Sequence, residues 1–331
     1  MKIKETIGID VSKLTIDVTV HSNKAYCKFE NTVKDFKKMV NWVFKQSPFS
    51  PENVLFVFEH TGLYSHRLAV YLTKENISFS MVPGLEIKRS LGIVRGKDDR
   101  VDSRSIARYG YRLRDEISPC KLPSKELKSL KTLLALRETK VKQRSGDKAL
   151  LKEYKLVYIR KDNEIVFKIL EKSIKSLSKY ISEIEQEMDK VVKSDQGLKN
   201  QYELVTSIKG VGPQIALYTI VLTEGFTKFK THRQFASYCG VAPFPNVSGT
   251  SIRGKTKVSN LANKKMKSLL DLGAKGSLQY NLEIKTFYER RLELGKSKMS
   301  TINIIRNKLI ARMFAVIKRN SPYVDFMKYA A

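Results

Sequence analysis

Cysteine is rare in this chain: Cys27, Cys120 and Cys239 stand far apart, and none belongs to a Cys-x-x-Cys pair. That excludes a disulfide framework and a cysteine-built zinc site, and it fits a reducing compartment. Long apolar runs are missing too. No stretch approaches the roughly 20 residues that a membrane span needs, and the opening MKIKETIGIDVSK has no apolar signal core. A cytoplasmic protein with no membrane partner is therefore expected. No solenoid-type repeat or low-complexity segment interrupts the chain. The shortage of acid says most. Asp and Glu number 33 against 62 Lys and Arg, a net charge of +29 over 331 residues. Such a surplus repels itself unless a polyanion neutralises it, and nucleic acid does so with release of counterions. The charge is spread along the whole length, unlike that of a single amphipathic membrane-surface segment.

What is present divides into three zones, expected as domains 1–118, 119–197 and 198–331. In the first, 6–11, 14–20 and 25–30 read as strands rich in β-branched residues. Helical spacing follows over 33–46, then a short buried strand from Val54 to Phe58, a helix at 63–75, a strand at 77–82 and helices at 84–92 and 99–113. Three strands followed by alternating helix and strand suit one mixed α/β sheet covered by helices. The second zone, from about 124 to 195, is charged and helical with a break near 157–163. Phe167, Leu170, Ile174, Leu177, Ile181, Ile184, Met188 and Val191 alternate in steps of three and four, the seam of a coiled coil. Self-association through that seam is expected; the plainer alternative is a long helix packed on its own domain.

The third zone is expected to be mostly α-helical. LVTSIKGVGPQIALYTIVL reads as a helix, a tight turn and a second helix, a helix–hairpin–helix pattern. Gly210 and Gly212 are expected to supply positive φ and close approach, and Lys209, Gly210 and Gly212 are candidate phosphate contacts at the turn. A purely structural αα-turn would use the same residues. A glycine-rich basic loop is expected over 240–257, followed by a basic helical tail.

Four acids stand out by placement. Asp10 lies in GIDVSK at the centre of the first strand, where a charge is costly without a partner. Glu59 ends VLFVFE. Asp99 and Asp102 stand three apart in KDDRVDS, on one face at the start of a helix. Carboxylates meeting at one edge of a sheet suit Mg²⁺ or Mn²⁺, and two such ions can bracket a reacting phosphate. Individually, Asp99 and Asp102 could be acids favoured by the helix dipole, and Glu59 a turn cap. Asp17, Asp98 and Glu86 are set aside: Asp17 for want of a matching partner, Asp98 as one residue off the helical face.

GIDVSK, FEHTGLY and KDDRVDS, followed by GVAPFPNVSGTSIRGKTKVS, resemble the two conserved blocks of the DEDD transposases, the insertion-sequence family typified by the pilin-gene inverting recombinase. The match covers about 1–115 and 203–280, in the same order. The resemblance implies an RNase H-like (RuvC-like) N-terminal domain, a coiled-coil middle and a C-terminal transposase domain. It makes Asp10, Glu59, Asp99 and Asp102 a metal-binding tetrad and Ser248 the nucleophile of a covalent phosphoserine intermediate. It implies double-stranded donor and target DNA as substrates, a structured guide (bridge) RNA, and assembly as a dimer or tetramer. Gly249, Arg253, Lys255 and Lys257 become nucleic-acid contacts; their plain alternative is a solvated loop. Tyr64, Tyr238 and Phe244 are candidates to stack on bases, or are core aromatics. The chain departs from the family over Ser259–Lys264, where a glycine is lost and Lys replaces Arg.

Ser251 and Ser237 compete with Ser248 from the residues alone, and His232 is the only histidine in the C-terminal half, so no Ser-His dyad is evident. A metal nuclease that uses water, with Ser248 merely structural, is the nearest alternative. A binding or scaffold protein with degenerate acids is the more distant one. The RNA partner rests on the resemblance, since no residue pattern here reads as an RRM or KH module.

Overall fold

The computed structural model describes residues 2–90, 92, 98–249 and 252–325. The chain divides into two compact units, Met1–Leu122 and Pro123–Ala331. In the first, β1 (Glu5–Val11), β2 (Thr15–Val20) and β3 (Tyr26–Glu30) form an antiparallel meander. After α1 (Val33–Gln46), β4 (Val54–Glu59) joins β1 in parallel; after α2 (Leu63–Lys74), β5 (Phe79–Val82) joins β4 in parallel. Two more helices follow, α3 (Gly84–Ser90) and α4 (Asp99–Arg112). The strand order is β3-β2-β1-β4-β5. This mixed sheet is compatible with the expected RNase H-like domain.

Alternation along each strand decides the two faces. Ile7, Ile9, Ile16, Val18, Phe56 and Phe58 turn to one core, filled from α1 by Phe36, Met39, Val40 and Val43 and from α2 by Leu68 and Leu72. The α1 start is fixed by Thr32, whose side chain accepts from the Asp35 N–H. On the other face Leu55, Val57 and Val82 pack with Ile87, Ile106 and Tyr109 of α3 and α4. There α4 lies almost on the backbone of β1. A Cβ on Gly8 would come 2.1 Å from the Ser103 carbonyl oxygen and 2.2 Å from the Ala107 nitrogen, so only glycine admits the helix this close. The Thr6 hydroxyl donates to the Ala107 carbonyl at 2.9 Å, and the Thr19 and Ser103 hydroxyls share a 2.8 Å hydrogen bond.

The second unit begins with α5 (Lys125–Val157) and α6 (Glu164–Ser194), joined through a short 3₁₀ turn. Arg137 pairs with Glu185, Arg144 donates to Ser178, and Ser173 donates to Asp147, a register that makes the two helices antiparallel. The apolar seam of α6 is thus taken up within the chain, buried or half-buried. Leu130 and Leu134 of α5 meet Ile184, Met188 and Val192. A three-four spacing specifies one apolar stripe and not whose helix covers it, which is why the intermolecular seam expected from sequence differs from the observed one. The same cluster continues into α7 (Gln196–Thr206) and α8 (Pro213–Leu222) through Leu198, Leu217 and Ile220. The segments expected as separate middle and C-terminal domains therefore share a core. A larger cluster joins α7 and α8 to α9 (His232–Tyr238), α10 (Lys264–Tyr280), α11 (Leu282–Glu293) and α12 (Lys298–Arg319), with Phe235, Met266, Leu270, Ile284, Ile305 and Leu309 at its centre.

One stretch departs from the helical expectation. Residues read as a loop form a two-stranded antiparallel ribbon, β6 (Pro243–Ser248) and β7 (Ile252–Val258), with an irregularity between Phe244 and Asn246. Among the described residues no helix is long and apolar enough to cross a membrane.

Candidate metal centre

Asp10 lies near the carboxyl end of β1, and Glu59 is the last residue of β4. These strands are parallel, with Ile9 opposite Phe58, so both acids reach the same edge. The carboxyl ends of parallel strands are where open α/β sheets place their ligands. Asp98 caps α4 by accepting from the Arg100 N–H at 3.2 Å, which starts the helix so that Asp99 and Asp102 share its first turn. Close seating over Gly8 brings that turn to β1. Asp10, Asp99 and Asp102 then offer carboxylate oxygens within 4.8 Å of one another. Glu59 is not in this tight group; its carboxylate packs against the start of α3, where a Cβ on Gly84 would stand 2.0 Å from Oε1. Its charge is still felt at Asp10. Burial, then the negative charges of Asp102, Asp99, Asp17 and Glu59, push the Asp10 carboxyl up to about 6.

Asp17 does have partners. It stands opposite Asp10 across β1–β2 and opposite Lys28 across β2–β3, and is only 2% exposed. Like charges directly opposite each other are destabilising. Asp17 is stabilised from the far side: Tyr26 donates its hydroxyl at 2.5 Å and the Lys28 ammonium lies at 3.7 Å. The hydrogen bond to Asp17, then burial, pushes the Tyr26 phenol up to about 12. The Arg100 guanidinium sits 5.1 Å over the Tyr26 ring, tying β3 to the turn that carries Asp99 and Asp102. Period-two alternation in TIDVTV and YCKFE would have placed Asp17 and Lys28 on one face; their pairing needed the register. Glu86 lies near the Tyr109 hydroxyl, 3.3 Å away. Gly8 and Gly84 carry no sequence signal, since each is defined by an element that lies elsewhere along the chain.

In the second unit, Gly210 has the expected positive φ (92°), and a Cβ there would meet Ser277 Oγ at 1.9 Å. Gly212 differs from expectation: its φ is −84°, and nothing lies within 4 Å of its would-be Cβ. It serves as the N-cap of α8, where Pro213 presets the first helical φ and a positive φ would break the entry. Lys209 is not free but pairs with Asp325 at 2.7 Å. Ser248 closes β6 opposite Ile252, and its side chain and that of Arg253 lie outside the described part; Ser251 lies outside the described residues. Gly249 opens the ribbon turn with φ 56°. Lys255 and Lys257, two apart on β7, share one exposed face. Tyr238 packs one side against Phe229 and Phe235 yet is exposed, as are Phe244 and Tyr64.

A mixed sheet whose parallel strand ends meet an aspartate-bearing helix defines a carboxylate centre of the class that acts on phosphodiesters. Residues 7–155 match the profile of the IS110-type DEDD transposases, and residues 202–289 match the one described as transposase, IS116/IS110/IS902 family. The chain is 27% identical to the pilin gene-inverting protein of Moraxella bovis over 97% of its own length and 98% of that protein. The pilin gene-inverting protein of Moraxella lacunata matches to the same extent. An uncharacterized 43.6 kDa protein of insertion element IS110 from Streptomyces coelicolor is 29% identical over 124 residues, 38% of this chain and 30% of that protein. The chain belongs to the IS110 family of DEDD transposases, enzymes that cut and rejoin DNA.

Proposed function

We propose that this transposase exchanges DNA strands through a covalent link to Ser248, and that Asp10, Asp99 and Asp102 hold Mg²⁺ or Mn²⁺ with Glu59 beside them. The cluster of three aspartates carries the reading. Among the described residues no hydrogen bond or ion pair reaches their carboxylates, and hard oxygen donors crowded without a counter-cation suit a divalent ion. Such an ion, when bound, polarises a phosphate and stabilises charge on the attacking and leaving oxygens. The rest is the work of the chain. Gly8 lets α4 close on the site, Gly84 gives the Glu59 carboxylate room against α3, and Tyr26 with Lys28 offsets part of the Asp17 charge beside Asp10.

In the covalent step the Ser248 oxygen bonds to phosphorus as the bond to one deoxyribose oxygen breaks. The serine gives up its proton, and the leaving oxygen gains one. Attack by the hydroxyl of another strand reverses this, restoring a phosphodiester and the free serine with no external energy source. Gly249, Arg253, Lys255 and Lys257 would hold DNA backbone beside the serine. Lys209, Gly210 and Gly212 would hold it at the helical hairpin, where the α8 N-terminus has no side-chain cap. Donor and target would be chosen by pairing with a guide RNA, a reading supported by the family likeness. Assembly into dimers or tetramers would use the α5–α6 tip, where Leu156, Val157, Ile159 and Ile165 are exposed.

The test is strand exchange between donor and target DNA in Mg²⁺, with and without RNA transcribed beside the gene, followed by a search for DNA joined to protein. A phosphoserine adduct at Ser248 that is absent from Ser248→Ala is expected. Cleavage that persists in Ser248→Ala without an adduct would replace this reading with hydrolysis by water.

A further inference from the structure

The helix that brings two of the three aspartates to the site has a second face. Arg100, Arg104, Arg108 and Arg112 recur every fourth residue of α4, and all four are exposed. Each step of four advances about 6 Å and turns about 40° round the axis, so the four make one row, roughly 18 Å long. The row lies away from the face formed by Ser103, Ile106, Ala107 and Gly110, which is buried.

Among the described residues of the folded unit nothing accounts for this row. Like charges at i and i+4 destabilise a helix, and here three such pairs follow one another. Arg100 stands in the first turn, where the helix dipole disfavours a cation; the one described contact of its guanidinium is the Tyr26 ring. Arg104, Arg108 and Arg112 have no hydrogen bond or ion pair among the described residues. Other helices of the chain place an acid at that spacing, as in Lys142–Glu138, Lys168–Glu164, Lys193–Asp189 and Lys275–Asp271. The choice of side chain matters too. Lysine outnumbers arginine 44 to 18 in the chain, yet α4 uses arginine alone. Arginine presents a planar fork that grips a phosphate through two parallel hydrogen bonds, whereas lysine offers a point charge.

We infer that the outer face of α4 is a track for the sugar–phosphate backbone of the DNA substrate, which leads one strand to the aspartate cluster. A row of about 18 Å spans roughly five phosphates at 3.4 Å of axial rise per strand. It starts in the turn that holds Asp99 and Asp102, so one end of the tracked strand arrives at the carboxylates. Bound phosphates would relieve the repulsion that the free helix carries. The contacts read backbone and not sequence.

The test compares the full chain with Arg104→Gln/Arg108→Gln and Arg104→Lys/Arg108→Lys, using a random-sequence DNA duplex without metal over a range of salt. The Gln pair should flatten the log–log salt dependence of binding by about 2, near 0.9 per lost phosphate contact. The Lys pair should keep the slope and lose part of the affinity. Melting temperature and Mn²⁺ binding at the aspartates should stay at wild-type values in both, which separates this track from the metal reading. An unchanged slope in the Gln pair would overturn the inference. A defect confined to a structured RNA probe would overturn DNA as the occupant, and lost binding that follows a lowered melting temperature would mark the row as structural.

Discussion

Gly8 of β1 and Ser103 of α4 meet with no room for a methyl group: a Cβ on Gly8 would stand 2.1 Å from the Ser103 carbonyl oxygen. The strand carries Asp10 two residues on, and the helix carries Asp102 just before Ser103 and Asp99 one turn back. The separation of these backbones therefore sets the size of the carboxylate cluster.

Gly8→Ala should push α4 off the sheet. Overpacking of this kind costs about 1–3 kcal/mol, and the Thr6–Ala107 and Thr19–Ser103 hydrogen bonds would lengthen with it. Thermal unfolding should register the loss, and Mn²⁺ titration should show weakened binding even at temperatures where the variant is folded. A Gly8→Ala protein that binds Mn²⁺ as tightly as wild type would show that cluster geometry does not depend on this contact.

Much of this centre was legible before the fold was known. Asp99 and Asp102, three apart at a helix start, are local chemistry, and a strand aspartate with a later strand-end glutamate can meet at one sheet edge; Asp98, set aside as off the helical face, is instead the cap of α4. Three features were not legible, each for a physical reason. Glu59 stands apart from the other three because α3 takes up its carboxylate, a tertiary contact. The ribbon over 243–258 was hidden because glycine, proline and lysine weaken strand propensity, whereas its cross-strand pairing is non-local. The α6 stripe was legible as apolar but silent about its partner, which turned out to be α5.

Proton affinity at Asp10 predicts an inverted pH response. Its folded value, about 6, lies above the ordinary 3.8. The contribution of this group to stability is thus fully present below about pH 4 and is lost as pH rises through 6. In chelator at pH 7.5, Asp10→Asn should be more stable than wild type by roughly 1–2 kcal/mol, below the full linkage value because the group is only half-buried. At pH 4 the two proteins should melt alike. Mn²⁺ should reverse the order at pH 7.5 by stabilising wild type alone, and this advantage should fade below pH 6 as protons compete for the carboxylates. An Asn variant that is less stable at pH 7.5 without metal would contradict the crowding of charge at this site.

The α5–α6 tip carries the prediction about assembly. Arg160 forks onto both carboxylate oxygens of Glu171, at 2.9 and 2.8 Å, and lies over the Phe167 ring at 5.6 Å, so the turn between the helices is braced. On that braced turn Leu156, Val157, Ile159 and Ile165 are 80%, 73%, 69% and 66% exposed. Isolated exposed apolar residues need no explanation, but four within ten positions form a patch whose burial would favour association. The hydrophobic gain is lost if the patch is made acidic, and the chain's own core is untouched because none of the four belongs to it. Ile159→Glu/Ile165→Glu should therefore melt like wild type yet sediment as a smaller species, and strand exchange should fall with the loss of assembly while Mn²⁺ binding persists. If the variant keeps the wild-type sedimentation coefficient, the tip is not the assembly surface.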